Sequence, residues 1–471
     1  MQTNHKTQKG TGELLIRVLV FTLIISVMNA YMFNVVLPVI SKQFQLSPSQ
    51  VSWIITSYMI VYAIGTVTFG KLTDNYSLKN LLTFGLVFFA LGSIIGLVAT
   101  EYWMIIVARI IQAGGASVIP AVAMIVPVRY FSPEKRGRAL GTVAIGLALG
   151  AALGPIIAGF VTSALNWQVL FVIPLLSLLT LPFYRKYLDD VKGGTDKIDF
   201  LGGALLAGSI ATILLAITKS NAWLVVIGAV LLILFVLRIH YATDPFVKPG
   251  IFRNKQYSLG LVITFVMTAI GFGTPFITPQ LLSLVNNMSP AFIGIIMLPS
   301  ALVTALLGLK GGKLADEKGN PFLVYTASTL LFIGFICLSS VAGMSPVFIS
   351  IFLIFGILGQ SFMQIAMTNT VSQTLPKEQV GIGLGLFSML NFISGASSTA
   401  AISKVLDLDT PIVHLNPISH GAALIYSNIF LVLAVLIVVM TVIYYVKFGR
   451  INKIATAEKN EEQAKTIYWS K

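Results

Sequence analysis

Along the chain, long apolar runs alternate with short polar connectors. The runs fall at about 14–40, 50–70, 79–100, 103–128, 138–163, 167–184, 200–218, 222–242, 257–283, 290–309, 322–342, 345–372, 381–404 and 422–446. Each is long enough to cross a hydrocarbon layer as an α-helix, which takes about 17–25 residues. The runs lack the one-sided stripe of a helix at a water interface, so the pattern predicts helices surrounded by lipid and protein. Barrel strands would alternate apolar and polar residues over about ten positions, and these runs do not. The expected fold class is an all-α membrane protein of about fourteen transmembrane helices.

The polar connectors repeat. GKLTDNYSLK at 70–79 returns as GKLADEKGNP at 312–321, an offset of 242 residues. LSPSQVSWI at 46–54 and MSPAFIGII at 288–296 match at the same offset. PEKRGRALG at 133–141 and PKEQVGIGLG at 376–385 match at 243. Equivalent connectors therefore recur on the same side of the membrane. That is the mark of parallel repeats related by a pseudo-two-fold axis along the membrane normal. Matching the first six helices to the last six leaves the two at 200–242 over, an inserted helix pair. The expected divisions are a tail at 1–13, an N-terminal six-helix bundle at 14–190, the inserted pair with its linkers at 191–250, a C-terminal six-helix bundle at 251–447 and a tail at 448–471.

Composition agrees with the pattern: charged residues are 10% of the chain and hydrophobic ones 56%, against roughly 25% charged in soluble domains. The net charge of +14 invites a nucleic-acid reading until its distribution is followed. Of 31 Lys and Arg, 27 lie in the tails and in the connectors on their side, Lys42, Lys219 and Lys404 lie on the other, and Arg109 sits inside a run. This positive-inside bias predicts both termini in the cytoplasm and makes the surplus a topology signal rather than a nucleic-acid surface. Some attraction to anionic membrane lipid is also expected. The first run is too long for a signal-peptide core and is read as a retained span. The single Cys337 excludes disulfides, and the four His lie in a tail, a helix end and an outer connector, so no metal site is predicted. No G-x4-G-K-[ST] segment is present, so ATP is not the expected energy source, and no cofactor is called for.

Several motifs resemble those of the major facilitator superfamily, in its fourteen-span drug:proton antiporter branch of tetracycline and multidrug exporters. That family's loop signature, G-x-L-x-D-x-x-G-x-[RK], is met by Gly70, Leu72, Asp74 and Lys79, with Ser77 in place of a Gly. ARIIQAGGAS at 108–117 resembles the fourth-span R-x-x-Q-G signature, and Gly141, Gly150, Gly154, Pro155 and Gly159 fit the fifth-span antiporter signature. DFLGG at 199–203 resembles the start of the seventh span. The resemblance implies a monomeric, non-enzymatic plasma-membrane secondary transporter that exports a small organic molecule by alternating access, with protons or another ion as coupling partner. An importer or uniporter of the same fold and a transport-inactive sensor are the rivals.

Within this frame the residues that carry chemistry can be named. Arg109 is placed deep in a span, where an arginine costs about 2.5–3.5 kcal/mol on insertion scales, so it should face a cavity and have partners, Gln112 among them. A purely structural arginine satisfied by carbonyls remains the other reading. Asn29, Asn34, Gln280, Gln360, Gln364 and Asn391, with Tyr31, are candidates for the substrate pathway, although any single amide can equally be helix–helix glue. Gly70, Asp74, Lys79, Gly312 and Asp316 are candidates for a cytoplasmic gate, one copy per half. Gly146, Gly150 and Gly154, spaced four apart, expose bare backbone on one helix face, next to Pro155 and Gly159. A feature missing from the chain completes the reading: all seventeen carboxylates fall in tails, connectors or span ends. Where tetracycline exporters carry acids in the membrane, this chain has Ala30, Ala151 and Ser398. A pocket with one guanidinium and no acid should prefer anionic, zwitterionic or neutral cargo.

Overall fold

The computed structural model describes residues 2–190, 199–376, 379–408 and 413–449. Among the described residues, fourteen helices are long and apolar enough to span a membrane: α1 (Gly12–Phe44), α2 (Pro48–Thr73), α3 (Leu78–Leu97), α4 (Tyr102–Tyr130), α5 (Lys135–Ala164), α6 (Trp167–Tyr187), α7 (Phe200–Lys219), α8 (Ala222–Tyr241), α9 (Lys255–Leu284), α10 (Pro290–Gly308), α11 (Asn320–Val341), α12 (Pro346–Gln373), α13 (Val380–Leu406) and α14 (Gly421–Phe448). No strand occurs among the described residues. One expectation is refined. The backbone of the 1–13 segment is helical from Gln2 onward and runs into α1 without a break, so it is no separate connector.

Helix starts follow local chemistry. α2, α10 and α12 each begin at a Ser-Pro pair, Ser47-Pro48, Ser289-Pro290 and Ser345-Pro346. Proline's fixed φ suits a first turn, and its missing N–H would have had no intrahelical partner there. At α2, Ser47 and Gln50 add a capping box: Ser47 N donates to Gln50 Oε1 at 2.8 Å and Gln50 N to Ser47 Oγ at 3.3 Å. Each satisfies a backbone donor that a helix start leaves free.

One two-fold operation generates the helix packing. In the first six helices α1 packs on α5, α3 on α4, α2 on α4 and α3 on α6. In the last six the same relations recur as α9 on α13, α11 on α12, α10 on α12 and α11 on α14. Between the sets, α5 packs on α10 and α2 on α13, a pair that the operation exchanges, while α1 touches its counterpart α9. Seven spans lie between α1 and α9, so the two run in the same direction and the halves are parallel.

The inserted pair, α7 and α8, packs mainly on itself, with α7 lying over α2 and α13. Asp199 ties it down at the edge of the membrane. Its carboxylate caps α7 by accepting from Gly202 N at 3.0 Å, pairs with Arg238 Nε of α8 at 3.1 Å and accepts from Phe246 N at 3.2 Å. Burial pushes this carboxyl's pKa up, but the hydrogen bonds from Gly202, Arg238 and Phe246 together outweigh that and hold it below the usual carboxylate range. Lys71, at the end of α2, donates to Pro245 O at 2.6 Å, so the connector after α8 is bound to the first half. At the far end Trp53 Nε1 donates to Thr218 Oγ1 at 3.2 Å.

Candidate functional site

Arg109 projects from α4 into the first bundle with no solvent exposure. Its guanidinium lies between two rings, 4.3 Å from the centroid of Phe33 on α1 and 4.0 Å from that of Tyr58 on α2. Nε donates to Ile54 O at 3.3 Å, and Nη1 donates to Asn29 O at 3.4 Å and Gln112 Oε1 at 3.0 Å. Gln112 passes the chain on, its Nε2 donating to Ser93 Oγ at 2.8 Å on α3. Two π faces and three oxygens thus replace the water that the cation gave up. The expected cavity is corrected in this conformation. Phe33 and Tyr58 close over the guanidinium, which does not stand in an open space.

The pocket's polar capacity is only partly used. Arg109 Nη2, both amide atoms of Asn29, the Tyr58 hydroxyl, Ser26 Oγ and Thr56 Oγ1 are buried without a hydrogen-bond partner. An unpartnered buried polar atom costs about 1–3 kcal/mol. Those of Arg109, Asn29 and Tyr58, grouped in one pocket, mark a place where a polar ligand, or water, is expected to dock. Among the described residues the single ion pair is Arg238 with Asp199, so no carboxylate neutralises Arg109.

The other pathway candidates divide. Asn391 Oδ1 accepts from Thr268 Oγ1 at 3.0 Å, which makes it a link between α13 and α9. Gln280 and Asn34 donate within their own helices, to Phe276 O and Tyr31 O, both at 3.3 Å. The Gln360 amide fills the notch left by Gly271 on α9, and its Oε1 is buried without a partner. Gln364 and Tyr31 are half-buried. Tyr58 and Tyr62 stack at 5.6 Å, and Tyr62 reaches Phe392 of the other bundle at 4.5 Å.

The bundles meet at the end remote from the termini and part at the end that carries them. On the α2–α13 seam, Ser403 Oγ donates to Ser52 Oγ at 3.1 Å, Ser49 N donates to Asp407 Oδ1 at 2.9 Å, and Ser49 Oγ donates to Asp407 Oδ2. On the α5–α10 seam, Ala291 N donates to Ser163 Oγ at 2.9 Å. There a Cβ on Gly159 would fall 2.4 Å from Pro290 O, and one on Gly294 would fall 3.0 Å from Pro155 O. So the last two members of the antiporter signature touch the opposite bundle. The first three do something else: Gly146, Gly150 and Gly154 bring α5 against Val20, Ile24 and Met28 of α1.

Toward the termini both seams open. Gly70 of α2 and Gly385 of α13 continue the faces that touch at Tyr62 and Phe392, yet a Cβ on either would meet nothing within 4 Å. The same holds for Gly141 of α5 and for Gly312, on the continuation of the α10 helix to Lys318. Of the candidate gate residues, Gly70 and Gly312 thus face open space. Asp316 is exposed and Lys79 half-exposed, and the Asp74 side chain lies outside the described residues. Sequence reading gave the contacts of Ser49, Ser52, Ser403 and Asp407 no role. Their partners come from opposite bundles, and one chain's sequence carries no signal for that pairing.

Comparison with known proteins agrees with this architecture. The chain is 26% identical over 391 residues to the riboflavin transporter RibZ of Clostridioides difficile, covering 80% of this chain and 85% of that protein. It is 25% identical over 377 residues to a multidrug resistance protein B homolog of Mycobacterium tuberculosis, covering 76% of this chain and 69% of that protein. Among solved structures, a bacterial homolog of the human lysosomal transporter Spinster, in an inward-facing and unoccupied conformation, superposes with a TM-score of 0.65 at 13% identity, over 93% of this chain and 97% of that one. The sequence profile of the Major Facilitator Superfamily matches residues 19–399, and the chain belongs to that family of membrane transporters.

Proposed function

We propose that this transporter exports a small organic molecule, neutral or anionic, across the plasma membrane by alternating access, with both termini in the cytoplasm and the monomer as the working unit. The observation that carries the substrate class is the Arg109 pocket, a buried guanidinium with a free Nη2, unpartnered amide and hydroxyl groups around it and no acid beside it. Such a pocket repels lipophilic cations and rewards an acceptor-rich ligand. The names of the relatives, a riboflavin transporter and a multidrug resistance protein homolog, support a small organic cargo, and the fifth-span glycine signature supports export and membership of the drug:proton antiporter branch. The substrate pathway is assigned to Asn29, Tyr31, Tyr58, Arg109 and Gln112 in the first bundle, together with Gln360 and Gln364 of the second. Gln280, Asn34 and Asn391, bonded within or between helices, serve as framework. Gly70, Asp74, Lys79, Gly312 and Asp316 form the cytoplasmic gate, which closes when the open ends of the seams come together.

A second reading has one observation in its favour. With no acid inside the membrane, a proton carrier of the usual kind is missing, and the membrane potential alone supplies about 2.3 kcal/mol per charge per 100 mV. Potential-driven movement of an anion would need no proton. One assay separates the readings: uptake of riboflavin, organic anions and ethidium into inside-out vesicles, with the pH gradient and the potential collapsed separately. The proposal expects anionic or neutral cargo to accumulate and Arg109→Lys, which loses the two-ring stack and the planar fork, to lower the initial rate about tenfold or more. Accumulation of ethidium in preference to anions would refute the substrate class. Transport that survives loss of the pH gradient but not of the potential selects the second reading.

A further inference from the structure

We propose that Asp407 is the external latch of the transport cycle, a positioning residue that holds the two bundles together at their outer end. The inference rests on the alternating-access reading above. Three edge carboxylates, Asp74, Asp316 and Asp407, stand where a bundle-to-bundle contact is possible. Of these, Asp407 reaches across in this conformation: it lies at the end of α13 and accepts from both the backbone N–H and the hydroxyl of Ser49 at the start of α2. Asp316 is exposed. Ser52 and Ser403 add one bond a turn further in, and Ser52 is fully buried. Further contacts on this seam join apolar or aromatic groups, Met59 beside Gly395 and Tyr62 on Phe392.

Contacts of that apolar kind slide; a two-point hydrogen bond to a charged oxygen does not. Bonds to an ionised acceptor are roughly twice as strong as neutral ones and need one geometry. The donor side is rigid, because the Ser47 and Gln50 capping box fixes the turn that presents Ser49. The acceptor side is anchored in α13, which packs on α9 within its own bundle. Rotation of one bundle against the other about the mid-membrane contacts must therefore break the Ser49–Asp407 bonds before the outer seam can part. The latch sets how often the protein visits its outward-open state, and through that the turnover rate.

The test uses the full chain with Cys337→Ser and one of two reporters. Thr56→Cys lies one turn inside Ser52 on the same face of α2 and is fully buried in the latched state. Gly385→Cys lies on the α13 face that meets nothing within 4 Å at the other end. A membrane-impermeant, charged thiol reagent is applied from outside in cells for the first and to inside-out vesicles for the second. Asp407→Asn, which keeps the shape and removes the charge, is expected to raise labelling of the Thr56→Cys reporter about tenfold or more, the scale of losing hydrogen bonds to a charged acceptor, and to lower labelling of the Gly385→Cys reporter. Ser49→Ala removes one of the two bonds and is expected to move both reporters in the same direction by less, which keeps the test decisive if the Asn variant does not fold. Unchanged outer labelling in both variants overturns the latch. Raised outer labelling with unchanged inner labelling keeps the latch and overturns the alternating-access reading instead.

Discussion

At Asp199 three donors converge on one carboxylate: Gly202 N, Arg238 Nε and Phe246 N, at 3.0, 3.1 and 3.2 Å. Together they hold its pKa low against the effect of burial. A group whose folded pKa lies below its unfolded one, about 3.9 for Asp, contributes stability in full above that unfolded value and loses it as pH falls through the folded one. Asp199→Ala should therefore lower stability at pH 7 by about 1–2 kcal/mol, the cost of a lost helix cap with a half-exposed ion pair adding little. The difference in Tm between wild type and variant, measured in detergent, should narrow as pH falls below about 4; a gap that stays constant would remove the carboxylate charge as its cause. Asp199 was legible in sequence as the first letter of DFLGG, but only the structure shows that it reaches the connector after α8. Arg109 was legible for a different reason, since a basic residue inside an apolar run stands out by itself. Its ring partners Phe33 and Tyr58 did not stand out, because aromatic residues in a membrane helix are ordinary until a cation is placed between them.

Among the helices, α5 shows how one sequence signature divides into two physical jobs. Gly146, Gly150 and Gly154 seat α5 on α1, while Pro155 and Gly159 meet α10 of the other bundle. Helix association in lipid depends on close packing, because lipid is as apolar as the side chains. At Gly150 an added Cβ would fall 2.8 Å from both Ile24 O and Val27 Cβ, a backbone atom and a branched carbon that cannot give way. Gly150→Ala should thus force α1 and α5 apart and cost about 1–3 kcal/mol, read as a drop in Tm on size-exclusion after heating. Gly114→Ala is the control: a Cβ there meets nothing within 4 Å, and the variant should be as stable as wild type or slightly more so. The glycine spacing predicted close approach but not the partner helix. The second bundle solves the same packing problem differently: Gly395 of α13 takes Phe272 of α9, Gly273 of α9 takes Ile402 of α13, and Thr268 and Asn391 bond at 3.0 Å between the two helices. Sequence reading counted Asn391 toward the substrate pathway because an amide in a span has the same spelling whether it holds a helix or a ligand.

For the molecule as a whole, the two crossing seams are related by the pseudo-two-fold, so closing one end means opening the other on both seams at once. That symmetry was readable from the connector repeat, since two copies 242 residues apart on one side imply parallel halves. The conformation was not readable, because one sequence serves every state of a rocking pair. Gly70 and Gly312 gain their meaning here. Both sit where a Cβ meets open space in this state, yet both lie on helices whose partners must swing toward them when the bundles reverse. A large side chain at either position is harmless to the structure described and obstructs the other one. Gly70→Leu and Gly312→Leu are expected to fold with Tm unchanged or slightly raised, since leucine is the better helix former by up to about 1 kcal/mol. They should hold the seam ends on the side of the termini apart, leave the Arg109 site intact and stop turnover. Binding measured on purified protein, set beside initial transport rates in vesicles, would show retained binding with transport near background; wild-type rates in both variants would mean that these ends never come together.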